Sequence, residues 1–118
     1  AKNFENQVKL IKINLLHKVN YLKKNKYKIY ILGAPAKATT AINYFKLDSD
    51  LIECCYDINR FKINKNIPGT SIKIQNENRI KKIGSKDIFL IMSWNYKNLI
   101  IKKFKKKFGK AFKYFLPY

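Results

Sequence analysis

The residues that could do chemistry lie in three short segments, each of which directly follows an apolar run. The first segment is a turn with a helix start behind it, made of Gly33, Ala34, Pro35, Ala36, Lys37, Thr39 and Thr40. Free backbone N–H groups and the dipole at a helix N-terminus favour an anion such as phosphate. The dinucleotide-binding fingerprint has three glycines, whereas this turn has one, so a simple tight turn explains it equally well. Both alternatives stay open.

The other two segments offer groups that bind a sugar or a base. Asp57 ends the next apolar run, near the position where an acidic residue accepts hydrogen bonds from a ribose in dinucleotide-binding folds. It could also serve as a turn residue that caps backbone N–H groups. The third segment is Ser93, Trp94 and Asn95, and it contains the only tryptophan. The Trp94 ring could stack on a base or a sugar, or it could cover the end of the sheet.

Nothing in the sequence predicts a catalytic residue or a metal ligand. The one histidine, His17, lies in a lysine-rich helix, and neither a Ser-His-Asp set nor a Cys-His set is present. Cys54 and Cys55 are neighbours on a predicted strand, so their side chains point to opposite faces and cannot close a normal disulfide. We interpret them as buried small hydrophobic residues in a reducing compartment.

The elements that must position the three segments alternate along the chain. Helical spacing of apolar residues predicts helices over 4–24, 36–46 and 98–108, with a weaker one over 77–83. Apolar or alternating runs predict strands over 28–32, 51–56, 71–75, 87–92 and 111–116. This alternation predicts a Rossmann-like α/β domain of three layers, with about five mainly parallel strands in the order 3-2-1-4-5. Ligands bind beyond the carboxyl ends of such strands, so we expect the three segments to converge there.

The size and the charge of the chain limit the classes of protein to which it could belong. The 118 residues carry a net charge of +19, with 47% hydrophobic residues, which fits one compact domain rather than a disordered chain. Such a charge could indicate nucleic acid. However, only Arg60 and Arg79 are arginine, and the densest lysine cluster, over 102–107, alternates with apolar residues as on a solvated helix face. We therefore regard nucleic acid as the less favoured partner.

The hydropathy of the chain predicts where the protein is located, and the start of the chain bears on its division into domains. No apolar run approaches the ~18 residues of a membrane span, and no signal peptide is visible, so we expect a soluble, cytoplasmic protein that does not bind membranes. The chain begins at Ala1 without an initiator Met. We expect residues 1–25 to be an amphipathic helix that connects to an upstream domain, and residues 26–118 to be the Rossmann-like domain.

Five motifs, taken together, have the order and spacing of a known family. They are Gly33-Ala34-Pro35-Ala36-Lys37, Asn43-Tyr44, Tyr56-Asp57-Ile58-Asn59 with Lys62, Ile67-Pro68-Gly69-Thr70-Ser71-Ile72, and Asp87 with Ser93-Trp94-Asn95. In this order they resemble the C-terminal domain of sugar C-methyltransferases, over roughly residues 28–102. Those enzymes use S-adenosylmethionine to methylate a carbon of a nucleotide-linked deoxysugar.

The resemblance implies a division of labour between domains. In that family a zinc-binding domain and a methyltransferase domain precede this one, and the methyltransferase domain holds S-adenosylmethionine and the catalytic base. This chain would then help to hold the nucleotide-sugar, would bind no cofactor itself, and would be inactive alone. Its partners would be the nucleotide-sugar and the upstream methyltransferase domain of the same polypeptide. From the predicted strand ends we expect the substrate-binding residues to be Gly33, Ala34, Pro35, Ala36, Lys37, Thr39, Asp57, Ser93, Trp94 and Asn95, and our hypothesis is that Lys37 faces the diphosphate and Trp94 lies against a ring.

Two other functions remain open at this point. The first is a free-standing module that binds a nucleotide or a nucleotide-sugar, of the kind that precedes some sugar acyltransferases. Zinc ligands encoded upstream in the full gene would exclude it. The second is a lysine-rich domain that binds nucleic acid, for which affinity should fall steeply with salt and sugar nucleotides should not bind.

Overall fold

The computed structural model describes residues 2–33 and 36–118, which form a five-stranded parallel sheet with helices on both faces. The helices are α1 (Lys2–Lys24), α2 (Ala36–Tyr44) and α3 (Lys97–Phe108). The strands are β1 (Lys28–Leu32), β2 (Cys54–Asp57), β3 (Ile74–Asn76), β4 (Asp87–Ile91) and β5 (Tyr114–Phe115). The strand order is β3-β2-β1-β4-β5 and every pairing is parallel, which confirms the predicted α/β fold and topology.

The two central strands, β1 and β4, are buried on both faces of the sheet. Successive strand residues point to opposite sides, so Ile29 and Ile31 pack on one face while Leu32 packs on the other. Ile31 pairs with Leu90 across the strands, and both side chains are fully buried. Continuous apolar runs of this kind are typical of parallel strands that are covered on two sides.

Each face of the sheet has its own hydrophobic core. On the first face, α1 buries Leu15, Val19 and Leu22, which lie four and three residues apart along one side of the helix. Helix α2 adds Ala38 and Ile42 to the same core. On the second face, α3 packs on a core whose central residues are aromatic. These are Phe89 from β4, Phe104 from α3 and Phe112 from the segment that follows α3.

The structure differs from the sequence-based expectation mainly at element ends. Leu51 and Ile52 were expected in the second strand, but their N–H groups donate to the carbonyl of Asp48 in a turn, and β2 begins only at Cys54. Both side chains are wholly or partly buried, so their apolar character reflects packing under the turn. The expected helix over 77–83 is a single 3₁₀ turn, Glu77–Arg79, after which Ile80 and Ile83 bury their side chains without helical structure.

The remaining differences concern the two ends of the chain. Strand β5 has two residues, Tyr114–Phe115, instead of the expected run over 111–116, because only these two pair with β4, and Ala111 belongs to the 3₁₀ helix Gly109–Ala111. In the first half of α1, Phe4, Leu10 and Ile13 are exposed. Within residues 2–33 and 36–118, no helix combines the length and the apolar character needed to cross a membrane.

Candidate substrate-binding site

A cavity of about 380 Å³ opens at the carboxyl ends of β1, β2 and β4. Gly33 follows β1, Asp57 ends β2 and Ser93 lies just beyond β4, and all three residues line this cavity. The chain places β2 and β3 on one side of β1 and then β4 and β5 on the other, so the strand order reverses at β1. The carboxyl-end edge at such a reversal is the usual ligand position in doubly wound sheets. The fold therefore brings one residue from each of the three predicted segments to a single cavity, which we call the first cavity.

Gly33 directly follows β1 and links the end of that strand to its neighbour. Its φ angle is +79°, in the left-handed region that favours glycine. Its N–H donates to the carbonyl of Tyr56 at 2.8 Å, which ties the end of β1 to β2. The single glycine of this turn therefore has a conformational role, and the phosphate role considered from the sequence stays a prediction.

Asp57 organises the turn that follows β2. Its Oδ1 accepts hydrogen bonds from the N–H groups of Ile58 at 2.7 Å and Asn59 at 3.2 Å. This is the capping role that an aspartate plays at the start of a turn. Ile58 and Asn59 themselves line the first cavity. Contact between Asp57 and a ribose or another sugar stays a prediction.

Two lysines line the first cavity that were not among the sequence-based candidates. Lys62 comes from the loop after β2, and Lys103 comes from the basic helix α3. The Nζ atom of Lys103 lies 2.5 Å from Oε1 of Glu77, whose side chain is only 11% exposed. Sequence reasoning assigned Lys103 to the solvated face of α3. It lies three residues after Ile100 and next to Phe104, both of which line the cavity, and that helical spacing is the signal that could have revealed it.

The remaining wall of the first cavity is largely apolar and aromatic. Its members include Tyr56, Tyr96, Ile100 and Phe104. Burial, with a smaller contribution from the nearby Cys54, raises the pKa of the Tyr56 hydroxyl. That hydroxyl is therefore neutral at physiological pH and able to donate a hydrogen bond. Apolar walls with a few polar groups are typical of small-molecule sites.

The other predicted site residues lie in different places. Ala36 and Thr39 line a second cavity of about 300 Å³. Lys37 and Asn95 are exposed and are not among the described residues that line either cavity.

Of the last three predicted site residues, Trp94, Ala34 and Pro35, the structure describes only Trp94. The Trp94 ring packs on Tyr118, with 4.0 Å between ring centroids, so part of its surface covers the end of the chain. Ala34 and Pro35 lie outside the described residues.

The thiols and other potential metal ligands are spread over the chain. Among the residues that the structure describes, no group of three or more His, Cys, Asp and Glu side chains could hold a metal ion. Cys55 is buried and Cys54 is half-buried, and both are free thiols. Burial raises the pKa of each, so both stay protonated near neutral pH. This environment agrees with their interpretation as small hydrophobic residues.

Comparison with known families shows which family the chain belongs to. The family described as the C-methyltransferase C-terminal domain matches residues 1–117. The chain belongs to that family. A search of curated proteins found no match. The match includes α1, so the helix that packs Leu15 and Val19 against the sheet lies within the region shared with other C-methyltransferase C-terminal domains.

Proposed function

We propose that this C-methyltransferase C-terminal domain binds the nucleotide-sugar substrate of an S-adenosylmethionine-dependent sugar C-methyltransferase. The observation that carries the proposal is the first cavity, where Lys62 and Lys103 lie among hydrogen-bonding groups at the edge of the sheet where doubly wound folds bind ligands. The family supplies the link to C-methylation. In this function the domain orients the sugar and performs no chemical step itself.

The charge of the cavity suits the diphosphate of such a substrate. Lys62 and Lys103 line this cavity from two different elements, and lysine ammonium groups donate charge-assisted hydrogen bonds to phosphate oxygens. The net charge of +19 also raises the concentration of anions near the surface. Glu77 contacts the Lys103 ammonium and thereby restricts where that group can lie.

The walls of the cavity suit a deoxysugar. Loss of a hydroxyl leaves one part of the sugar ring apolar, and that part can pack against Tyr96, Ile100 or Phe104. Asn59 and Ser93 can bond the hydroxyls that remain. The combination of two lysines, an apolar wall and a few polar side chains is matched better by a nucleotide-sugar than by a simple phosphate.

The methyl donor fits this chain poorly. The lining of the first cavity has two lysines beside two carboxylates, Asp57 and Glu77, so its charge does not select the cationic sulfonium of S-adenosylmethionine. The turn after β1 also has one glycine where nucleotide-binding turns have several. We therefore assign S-adenosylmethionine and the catalytic base to an upstream methyltransferase domain.

Titration calorimetry with the 118-residue chain tests the proposal. We expect saturable binding of at least one of the glucose conjugates of UDP, dTDP and GDP, and neither saturable binding of S-adenosylmethionine nor methyl transfer. Micromolar binding of the methyl donor would contradict the assignment of the donor site to another domain. Binding of duplex DNA that falls steeply with salt, without binding of any conjugate, would favour the nucleic-acid alternative.

A further inference from the structure

We propose that the outer side of α3, with the segment beside it, is a second binding surface that contacts the phosphate backbone of nucleic acid. This surface, which we call the basic face, consists of six exposed lysines: Lys81, Lys82, Lys102, Lys105, Lys106 and Lys110. None of the six is among the described residues that line the first or the second cavity. The basic face is therefore separate from the candidate substrate-binding site, and it does not rest on the proposed function.

The charges of the chain are unevenly distributed along it. Residues 78–118 contain 12 of the 26 basic residues but only one of the seven acidic residues, Asp87. That carboxylate has a local partner, because its Oδ2 accepts a hydrogen bond from the N–H of Gly84 at 2.7 Å. Helix α3 itself has six lysines and no acidic residue. The positive charge of this part of the chain is thus almost uncompensated by its own sequence.

The packing of α3 brings its lysines together on the outer side of the domain. Phe104 is buried against the sheet and sets the rotation of the helix. Helical residues are about 100° apart, so Lys102 and Lys106, each two residues from Phe104, lie on the side away from the sheet. They are four residues apart and Lys105 is three from Lys102, so the three ammonium groups are surface neighbours. Lys110 is exposed in the 3₁₀ turn that follows.

The segment before β4 adds two lysines to the same side. Ile80 and Ile83 pack in the hydrophobic core that also contains Phe104, so this segment covers the same face of the sheet as α3. Lys81 and Lys82 are exposed between these two anchors. The basic face therefore spans two elements that are far apart in sequence.

The lysines of the basic face have no carboxylate to neutralise them. In the described part of the chain the ion pairs are Lys23 with Glu53 and Lys103 with Glu77, and neither includes a lysine of this surface. Like charges three and four residues apart destabilise a helix. A polyanion bound along α3 would relieve this repulsion, so the uncompensated charge favours an anionic partner.

The absence of exposed apolar side chains favours nucleic acid over a protein or a membrane. In the described part of the chain, no exposed large hydrophobic residue lies within 78–86 or 100–113. Protein interfaces have aromatic anchors and few lysines, and helices that bind membranes insert apolar side chains. A phosphate backbone requires only cations. Because lysine lacks the planar fork with which arginine reads guanine, we expect no sequence preference.

Fluorescence anisotropy with a labelled duplex DNA of mixed sequence tests the basic face. The 118-residue chain should bind it saturably, with an affinity that falls steeply between about 50 and 200 mM salt. The triple variant Lys102→Gln, Lys106→Gln and Lys110→Gln should bind at least about tenfold more weakly, and its salt slope should be lower by about 3. These side chains are exposed, and glutamine removes the repulsion along α3, so the variant should keep its fold, as circular dichroism would check.

The matched control removes the same amount of charge from α1. The variant Lys9→Gln, Lys18→Gln and Lys24→Gln replaces three exposed lysines on the other face of the sheet, and it should lose much less affinity for the duplex. Equal losses in the two triple variants would mean that net charge alone attracts DNA, and the basic face would be wrong.

Other outcomes separate the partners and the two proposals. Wild type that does not bind the duplex saturably at the lower salt would overturn the basic face. Polyglutamate that competes as well as DNA, or vesicles of anionic phospholipid that bind as tightly, would show that the surface does not select nucleic acid. DNA binding without binding of any glucose conjugate would leave the basic face standing and remove the proposed function.

Discussion

Replacing Lys103 with glutamine should weaken binding of the nucleotide-sugar by about tenfold to a hundredfold, the range for losing a charge-assisted hydrogen bond. Lys103 lines the first cavity and is held there by contact with Glu77. Glutamine keeps a hydrogen-bond donor but removes the positive charge that a diphosphate requires. Calorimetric titration of the conjugate that binds wild type best would measure the change.

Two controls make the Lys103 result specific. Lys106 is an exposed lysine on the same helix and does not line the described cavities, so Lys106→Gln should change the affinity little. The double variant Glu77→Gln with Lys103→Gln replaces the ion pair by two neutral amides and leaves no unpaired carboxylate, and its affinity should stay as low as that of Lys103→Gln. Equal losses at Lys103 and Lys106 would indicate diffuse electrostatics and would contradict a defined anion site.

Lys37 provides a further comparison, because the sequence alone favoured it for the same role. Its side chain is exposed on α2 and lies outside the described lining of both cavities. If Lys37→Gln costs more affinity than Lys103→Gln does, the diphosphate lies at the start of α2 and the assignment to Lys103 is wrong.

Replacing Phe89 with alanine should lower the free energy of unfolding by about 3 to 5 kcal/mol, the usual cost of removing a buried phenylalanine. Phe89 is 2% exposed at the middle of β4. Its ring lies 5.4 Å from that of Tyr30 and 5.5 Å from that of Phe112, so its loss opens a void between the sheet and α3. Urea denaturation followed by circular dichroism measures this change.

The matched control for Phe89 is the same substitution at Phe61. Because that side chain is 80% exposed, Phe61→Ala should change the stability by less than about 0.5 kcal/mol. A domain of this size is stable by about 5 to 15 kcal/mol, so Phe89→Ala should leave a measurable but weakened fold. A loss below about 1 kcal/mol at Phe89 would mean that the second face of the sheet is not a packed core.

The sheet was predictable from the sequence because its central strands have a strong local signal. The run Lys28–Leu32 is apolar and stops at a glycine, and Asp87–Ile91 is nearly continuous, so both were recognisable as strands buried on two faces. The order then follows from the alternation with helices. The two short edge strands were predicted as well, but the sequence did not define their bounds. The two residues of β5 are a strand only because they pair with Phe89 and Leu90.

The lining of the first cavity was only partly predictable, because the positions of Lys62 and Lys103 in it depend on tertiary packing. Gly33, Asp57 and Ser93 follow directly from strand ends, and these positions are set by topology. Lys103 looks like its neighbours on α3 until the rotation of that helix about its axis is known. Its partner Glu77 is 26 residues away in sequence and meets it only in the folded domain.

Trp94 is a candidate ligand-binding residue that also makes a structural contact. Its aromatic ring and its position after β4 made it a candidate for stacking on a ligand. In the structure its ring packs at a tilt of 34° against Tyr118, a residue with no recognisable signal in the sequence. A role for Trp94 in ligand binding stays a prediction.

The most direct test of the central claim is an NMR titration of the ¹⁵N-labelled chain with the nucleotide-sugar that binds in calorimetry. Binding in the first cavity predicts that the amide signals of Gly33, Asp57 and Ser93 shift together along one saturation curve. The amides of Phe4 on α1 and Lys106 on α3 should not move. Shifts confined to α1, or spread over the exposed lysines of α3 with Gly33 and Ser93 unaffected, would contradict a nucleotide-sugar site at the carboxyl ends of the strands.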